Sequence, residues 1–573
     1  MKSFPLTRRC FLTQTASALG FAGGATLGGP WLSLASGQAT GERSLARINP
    51  PGTNMLRQPT AFTGGTLKAQ ASKLELWPGR LTDVLALNGS VPGPTIRITT
   101  GGLFSTLVEN QLSEPLVLHW HGLLAPASQD GHPRDAIAAG QSAMIRFPVN
   151  QRAGTYWYHA HTDMLTGKQA YQGLAGLFLV EDPAEAALGL PTGDHDVPLL
   201  LADKRPNASH QLPYAPTMMD VAGGWLGTEV LANGVPNAYL AVDTGTYRLR
   251  LVNASNARVF RVGLDDLAPF QLIANDAGLL PAPVTVSTLM LPPGGRVEIL
   301  VGFAGRSLGS LVKLVSHAYV APAGHGGMTG GLPQGAKLDL LLFSVERPVP
   351  GAPTLPATLV PFLAHAAKDA RRTRKFSLGM SMGMGGGHQI NGTAYNLQRV
   401  DFTVPQGELE IWEFTDTLGD FHPMHLHGAH FQVLSRGGAA ALPPEDTGWK
   451  DTVLVGPLET VRVLVRFDAQ AGIFVLHCHN LKHEDDGMMQ NFEVTTGTVV
   501  ESSGPPLLIE HTASQVQLSW PSSATGYQLQ TRDGVGPAVE WQTVGLIPER
   551  TGDRWQLRVE ATATAQFFRL LKL

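Results

Sequence analysis

Apolar and polar residues alternate over short stretches along most of the chain. In residues 92–98, 247–253 and 460–467, apolar side chains tend to occupy every second position. A strand turns successive side chains to opposite faces, so this period predicts half-buried β-strands. Glycine (65 residues) and proline (41 residues) are abundant, which is typical of many turns between short strands. The pattern therefore predicts an all-β protein.

A weak internal repeat divides the chain. An Asn-Gly turn precedes an extended run at Asn88, Asn233 and Asn391, a spacing of about 150 residues that suits one ordinary β-sandwich domain. We therefore expect three sandwiches. A linker rich in proline and alanine, from 347 to about 370, is expected between the second and the third.

A shorter segment follows the third repeat, after Gly504 and Pro505. Its predicted strands, residues 516–520, 527–530 and 566–570, resemble those of a small fibronectin type III-like β-sandwich. About 70 residues are just enough for such a module. Because this segment contains no cluster of metal ligands, we expect residues 505–573 to have a spacer or adhesion role.

The first residues predict export. Arg8 and Arg9 precede a weakly apolar run, so that residues 1–39 resemble a bacterial twin-arginine signal. Glycines and Pro30 interrupt the run, and no stable membrane span is expected. The protein would be periplasmic or secreted, with the twin-arginine export machinery as a partner. The formal net charge of −4 gives no electrostatic case for nucleic-acid binding.

Four His-x-His pairs in the sequence indicate metal binding. The chain has 19 histidines in 573 residues, and four such pairs are more than chance would produce. The pairs are His119 and His121, His159 and His161, His425 and His427, and His477 and His479. Residues i and i+2 of a strand share a face, so each pair presents two imidazoles side by side. Such pairs suit copper, iron, nickel or zinc.

Cys478 lies between the two histidines of the last pair and is the only cysteine outside the signal segment. On a strand its side chain points away from theirs, so it can bind a separate metal. His422, His483 and Met488 stand close to these motifs in the sequence. Two imidazoles, a thiolate and a distant axial thioether form the ligand set of a blue-copper electron-transfer site.

Together these motifs resemble those of the multicopper oxidases, the family of laccases, bilirubin oxidases and bacterial cuprous oxidases, over roughly residues 60–498. The resemblance implies cupredoxin-like Greek-key sandwiches at 60–185, 195–347 and 371–498, with copper in the first and third and the second as a spacer. It also implies four copper ions. By motif, the type 1 copper takes His422, Cys478, His483 and Met488, the type 2 copper takes His119 and His425, and the type 3 pair takes His121, His159, His161, His427, His477 and His479.

The resemblance also implies the reaction. A reducing substrate would lose one electron at a time near the type 1 copper, and the three-copper cluster would reduce dioxygen to water with four. Asp130 and Glu484 resemble acids found near the cluster in relatives, and a carboxyl group held there can supply protons. Asp451 lies in a segment that also resembles the family; its two candidate roles are to support the metal ligands from behind and to hold a loop, and we favour the second. The protein is expected to be a monomer.

The electron donor is less well determined. Met380, Met382 and Met384 lie in one glycine-rich loop, and because thioethers favour Cu(I), cuprous-ion oxidation is one alternative. Three methionines also pack readily as flexible hydrophobes, so laccase-type oxidation of phenols and aromatic amines is the leading prediction. A copper-binding or envelope protein without turnover, and a two-domain copper nitrite reductase, fit the complete set of paired histidines less well.

Overall fold

The structure, a computed structural model, describes residues 50–322, 330–349, 355–381, 387–496, 507–512, 515–524, 526–532, 541–560 and 567–572. The predicted twin-arginine segment, Met382 and Met384 lie outside the described residues. Strands dominate the part of the chain that is described, and the all-β prediction is confirmed. None of the described helices is long and apolar enough to cross a membrane.

The first pair of sheets encloses a core that runs from Leu67 to Val180. In Leu103–Asn110, Phe104 and Val108 point into this core while Ser105 is exposed, as the alternating pattern requires. In spatial order, one sheet contains Arg80–Leu87, Gly65–Trp77, Leu103–Asn110 and Ser142–Pro148, and the other contains Gly93–Thr99, Ala175–Glu181, Gly154–Ala160 and Leu118–His119.

The second pair of sheets is the largest. Its six-stranded sheet contains Asn54–Met55, Ala238–Asp243, Leu338–Arg347, Leu311–Ser316, Phe260–Leu264 and Thr288–Leu291. Its seven-stranded sheet contains Val235–Pro236, Glu229–Ala232, Asp196–Lys204, Thr246–Asn253, Arg296–Gly302, Phe270–Asn275 and Gly278–Val286. Asn54–Met55 pairs in parallel with Ala238–Asp243, so this early strand belongs to the second pair rather than to the first.

The third pair of sheets holds Cys478 and Met488 within its buried core. One sheet contains His388–Ile390, Arg372–Met380, Leu409–Asp416, Thr460–Arg466 and Phe431–Arg436. The other contains Phe402–Pro405, Met489–Thr495, Gly472–Cys478, His422–Leu426 and Thr452–Val455.

A fourth, smaller pair of sheets follows, around a core that includes Leu518, Trp520 and Leu529. Its strands are Leu508–Thr512, Gln515–Pro521, Arg554–Glu560 and Glu549–Thr551 in one sheet and Gln542–Thr543, Tyr527–Arg532 and Phe567–Lys572 in the other. The domain boundaries given above stay predictions.

Helices are short and lie between strands. The α-helices are Thr166–Gln172, Met218–Gly223 and Leu481–Asp485. The 3₁₀ helices are Ala127–Gln129, Pro133–Asp135, Pro183–Leu188, Gly193–His195, Ala367–Asp369 and Pro444–Asp446. The last α-helix follows directly from the strand that carries Cys478, and it places His483 beside that residue.

Candidate metal centre

Strand register brings the paired histidines opposite one another. His119 is the cross-strand partner of His159 in the first pair of sheets. In the third pair, His425 is the partner of His477, and Met424 is the partner of Cys478. Directly opposed residues of antiparallel strands place their side chains on the same face, so each sheet gathers four imidazoles at one end.

The two sets of four imidazoles meet between the first and third pairs of sheets. The Nε2 atoms of His161 and His477 lie 3.2 Å apart, and those of His119 and His425 lie 3.3 Å apart. All eight histidines are buried. We call this set the histidine cluster.

Three groups within the histidine cluster have metal-binding geometry. In each group one potential ligand atom per residue lies within 4.8 Å of the others, and the groups are His119, His425 and His427; His121, His159 and His479; and His161, His427 and His477. The structure therefore brings together all the residues predicted to hold the type 2 and type 3 ions.

Burial favours the neutral form of several of these imidazoles. It lowers the pKa of His119, His427 and His477 well below the ordinary value, and nearby imidazoles lower each of these pKa values further. Burial also lowers the pKa of His159, to about 3. Because a metal ion binds the neutral form of imidazole, the cluster is ready to accept cations over a wide pH range.

Asp130 and Glu484 both contact the histidine cluster. Nδ1 of His427 lies 2.6 Å from Oδ2 of Asp130, and Nδ1 of His477 lies 3.0 Å from Oε2 of Glu484. Burial raises the pKa of Asp130 well above its ordinary value, and the charge of Asp135 raises it further. Burial also raises the pKa of Glu484. Both carboxyl groups therefore retain a proton to higher pH than an exposed acid does.

Asp451 contacts two histidines of the cluster, which supports the less favoured of its two expected roles, that of supporting the metal ligands from behind. Its Oδ1 atom lies 3.2 Å from Nε2 of His121, and its main-chain oxygen lies 2.9 Å from Nδ1 of His425. Arg296 forms a two-pronged ion pair with its carboxylate. Burial alone would raise the pKa of Asp451, but the guanidinium of Arg296 holds it well below its ordinary value.

The second metal-binding group, which we call the type 1 group, lies within the third pair of sheets. Nδ1 of His422 and Nδ1 of His483 each lie 3.7 Å from Sγ of Cys478. Met488 is buried in the same core, and its main-chain oxygen accepts a 3.0 Å hydrogen bond from the amide of Cys478. The structure thus brings together the four predicted type 1 ligands.

Polar groups hold the outer nitrogens of both type 1 histidines. Nε2 of His483 lies 3.0 Å from the main-chain oxygen of Ala222, near the end of the helix Met218–Gly223. This helix lies between strands of the second pair of sheets, and we call that pair with its connecting segments the second region. Nε2 of His422 lies 3.1 Å from Oδ1 of Asp416. With these nitrogens held from outside, the Nδ1 atoms are left to face Cys478, as a metal ligand requires.

Several of these contacts have no signal in the sequence. Asp416 and Arg296 belong to no sequence motif. Their roles follow only from buried ion pairs in the folded protein, Asp416 with His422 and Arg296 with Asp451. His388 stacks on His483 with ring centroids 3.9 Å apart, and its Nδ1 lies 2.8 Å from Oδ2 of Asp486. In the sequence, His388 is marked only by its place at the end of the glycine-rich loop that contains the three methionines.

The donor chemistry of both groups fits copper. Among the described residues, neither ring nitrogen of His479 has a hydrogen-bond partner although both are buried. An unpartnered buried polar group is costly, and a bound cation would remove that cost. Burial raises the pKa of the Cys478 thiol, and a metal bound to sulfur would stabilise the thiolate in its place. Imidazole and thiolate ligands favour copper over hard cations.

Comparisons with known proteins agree with this chemistry. Residues 68–185 and 361–498 each match a family model described as multicopper oxidase. The chain is 32% identical to the multicopper oxidase mco of Staphylococcus haemolyticus over 78% of this chain and 92% of that protein. It is 33% identical to the cell division protein FtsP of Escherichia coli over 78% of this chain and 90% of that protein.

A solved structure gives the same result. The crystal structure of the McoA multicopper oxidase from Aquifex aeolicus superposes with a TM-score of 0.71 and 33% identity, covering 78% of this chain and all of that one. The match confirms the predicted cupredoxin-like β-sandwich fold and an oxidoreductase function. The chain therefore belongs to the multicopper oxidase family.

Proposed function

We propose that this chain oxidises a small reducing substrate one electron at a time and uses four electrons to reduce dioxygen to water. The observation that carries the proposal is the histidine cluster itself, in which all eight predicted ligands converge beside the type 1 group. A protein that only bound copper would not need two such chemically different sites. The complete ligand set therefore favours turnover over a binding or envelope role.

The proposed metal content is four copper ions. Cys478, His422 and His483 would hold the type 1 ion, with Met488 of the same buried core as a weaker ligand. Within the histidine cluster, His119 and His425 would hold the type 2 ion, and His121, His159, His161, His427, His477 and His479 would hold the type 3 pair. When bound, copper supplies the reversible one-electron chemistry that the amino acids lack.

Chain connectivity favours fast electron transfer between the two sites. Cys478 belongs to the type 1 group, whereas His477 and His479 belong to the histidine cluster. Only one peptide unit separates the cysteine from each histidine. The two sites are therefore joined by a short covalent path, while the strand directs their side chains to opposite faces. This separation lets a one-electron donor serve a four-electron acceptor.

Asp130 and Glu484 are proposed as the groups that hold protons for water formation. The geometry that supports this role is the contact of each carboxyl group with two cluster histidines, Asp130 with His427 and His119, and Glu484 with His477 and His161. Oδ1 of Asp130 is buried and makes no hydrogen bond within the described residues, so it is available to a proton. A positioned acid with a raised pKa is well suited to general acid catalysis near neutral pH.

Phenols and aromatic amines are the proposed substrates. Outer-sphere oxidation requires only that a donor approach the type 1 group, which suits small aromatic donors of several kinds. The three methionines at 380, 382 and 384 are few compared with the long methionine-rich inserts of dedicated cuprous oxidases. We further propose that the chain acts as a monomer in the periplasm or outside the cell after twin-arginine export, because Arg8 and Arg9 precede an apolar run.

Dioxygen uptake by the copper-loaded full chain tests this proposal. We expect a phenol to be oxidised with one dioxygen consumed per four electrons and no accumulation of peroxide. Fe(II) and Cu(I) serve as competing donors in the same assay. If all three donors were inert while the blue type 1 absorption was intact, the enzyme proposal would fail. A preference for Cu(I) that disappeared on replacing Met380, Met382 and Met384 would instead establish cuprous oxidation.

A further inference from the structure

We infer that Arg296, a residue of the second pair of sheets, is a positioning residue for the histidine cluster, acting through Asp451. The inference rests on the proposed function, because it assigns a role in the oxygen-reducing site. It also revises the expectation that the second region is only a spacer. None of the motifs that hold the metals contains Arg296.

Each nitrogen of the Arg296 side chain donates hydrogen bonds. Its side chain is 1% exposed at the start of the strand Arg296–Gly302. Nη1 and Nη2 donate to the two carboxylate oxygens of Asp451 at 2.6 Å and 2.5 Å. The remaining donor capacity goes to main-chain oxygens of Thr155, Asp276 and Gly294. A planar fork with every direction occupied fixes the orientation of the carboxylate.

Asp451 transmits that orientation to two histidines of different metal-binding groups. Oδ1 of Asp451 lies 3.2 Å from Nε2 of His121, and its main-chain oxygen lies 2.9 Å from Nδ1 of His425. The Thr452 hydroxyl donates to Oδ1 of Asp451 at 2.9 Å and lies 3.2 Å from the same two ring nitrogens. The opposite nitrogens, Nδ1 of His121 and Nε2 of His425, face the cluster.

The second pair of sheets also holds the backbone of this segment. Oδ2 of Asp276 accepts hydrogen bonds from the amides of Asp451 and Thr452 at 3.3 Å and 3.2 Å. Oδ1 of the same carboxylate accepts one from the amide of Arg296 at 2.8 Å. Side chain and backbone of Asp451 are therefore both anchored to the second region.

Two glycines show how closely the regions approach. A Cβ atom on Gly122 would lie 2.5 Å from Nη2 of Arg296 and 2.6 Å from Oδ2 of Asp451. A Cβ atom on Gly294 would lie 2.8 Å from the His479 ring. Both glycines have positive φ, at +82° and +80°, where other residues are also strained. A side chain at either glycine would therefore displace the Arg296–Asp451 pair or the His479 ring.

A purely structural role is the competing explanation. Buried ion pairs contribute little net stability because desolvation offsets their attraction, so stability alone does not account for this one. Outer groups that orient ligand histidines, by contrast, affect metal affinity or activity by about 10- to 100-fold. The two explanations predict different spectra.

The variant Arg296→Lys tests the inference, because lysine keeps the charge and loses the fork. In the copper-loaded protein we expect unchanged type 1 absorption, an altered type 2 EPR spectrum and less than four bound copper ions per chain. We expect kcat for a phenol to fall by about 10- to 100-fold with little change in KM, since the donor is oxidised elsewhere.

Arg250→Lys is the matched control. Arg250, in the same seven-stranded sheet, also makes a two-pronged contact with a carboxylate: its Nε and Nη2 donate to Asp196 at 2.6 Å and 2.9 Å, and its Nη1 donates to Glu298. We expect it to lower the unfolding temperature while copper content and EPR spectrum stay as in the wild type. If Arg296→Lys behaved as this control does, the inference would be wrong.

A second variant covers the case in which Arg296→Lys does not fold. Asp451→Asn keeps the size of the side chain and an oxygen acceptor but removes the charge that Arg296 binds. We expect it to alter the type 2 EPR spectrum and to leave the type 1 absorption intact, and a wild-type EPR spectrum would overturn the inference. If the wild-type chain itself showed no type 2 signal, the proposed function would fail before the role of Arg296 was in question.

Discussion

The type 1 group and the histidine cluster use similar residues but are assembled in different ways. Cys478, His422, His483 and Met488 all belong to the third pair of sheets, and the cysteine and methionine lie inside its core. The cluster takes four histidines from the first pair and four from the third, and Arg296 of the second pair reaches it through Asp451. All four ligands of one site come from a single sandwich, with Ala222 of the second region adding an outer contact to His483, whereas the other site takes its ligands from two sandwiches.

Because of this difference, we expect the two sites to respond separately to mutation. A change in the core of the third pair should affect electron entry, and a change at the contacts between regions should affect oxygen reduction. Outer contacts reinforce the distinction, because Asp416 contacts only the type 1 group and Asp130 only the cluster. The following predictions test how independent the two sites are.

The largest effect is expected from Cys478→Ser. Serine is close to cysteine in size but lacks the soft thiolate that favours copper. We expect the blue absorption and the oxidation of phenols to disappear, while the type 2 EPR signal of the histidine cluster remains. Copper analysis, EPR and dioxygen uptake check this. Loss of copper from both sites together would contradict their independence.

Asp130→Asn is expected to impair the histidine cluster and to leave the type 1 group intact. Asparagine keeps the hydrogen-bonding shape beside His427 but holds no transferable proton, so kcat should fall by about 10²- to 10⁴-fold. The type 1 absorption should be unchanged, as measured in the same samples. Asp135→Asn is the control, because Asp135 is an exposed acid nearby that affects Asp130 through its charge. Equal losses of kcat in both variants would argue against a specific role for Asp130.

Acid should destabilise the protein through His132, which is buried at the contact between the first and third pairs of sheets. Nε2 of His132 lies 2.9 Å from Oδ1 of Asn491, and burial, assisted by Arg134, lowers the pKa of His132 to about 4. The unfolded chain binds this proton near pH 6.5, so the stabilising contribution is complete above that pH and is lost as pH falls towards 4. The contribution is at most about 3 kcal/mol.

The free energy of unfolding of wild type and His132→Gln, measured between pH 7 and pH 4, checks this prediction. Glutamine does not titrate and can still reach Asn491. We expect a shallower loss of stability with acid in the variant than in the wild type. Identical pH profiles would show that His132 does not report on this contact.

The smallest effect is expected from Asp416→Asn. Removing the negative charge beside His422 disfavours the more positive, oxidised state of the type 1 site. We therefore expect the type 1 reduction potential to rise by an amount on the order of tens of millivolts. Redox titration of the blue absorption measures this shift, and the type 2 EPR spectrum should stay unchanged. A lower potential would show that the carboxylate acts in some other way.

Much of the type 1 group was predictable from the sequence because its determinants are local. Cys478 lies between two histidines on one strand, and the two-residue period of a strand predicts that its side chain points away from theirs. His483 and Met488 follow within the same short segment. Asp416 was missed because no spacing rule connects it with His422, and only the turn between Asp416 and the next strand brings them together.

The sequence by itself determined the all-β class, the paired imidazoles and the position of the cysteine between them, since these depend on periodicity over a few residues. Only the tertiary structure decided which pairs meet, such as His119 with His425 and His161 with His477. It alone placed Arg296 beside Asp451. The reason is that strand register and the association of sandwiches depend on contacts between residues far apart in the chain, which local patterns do not specify.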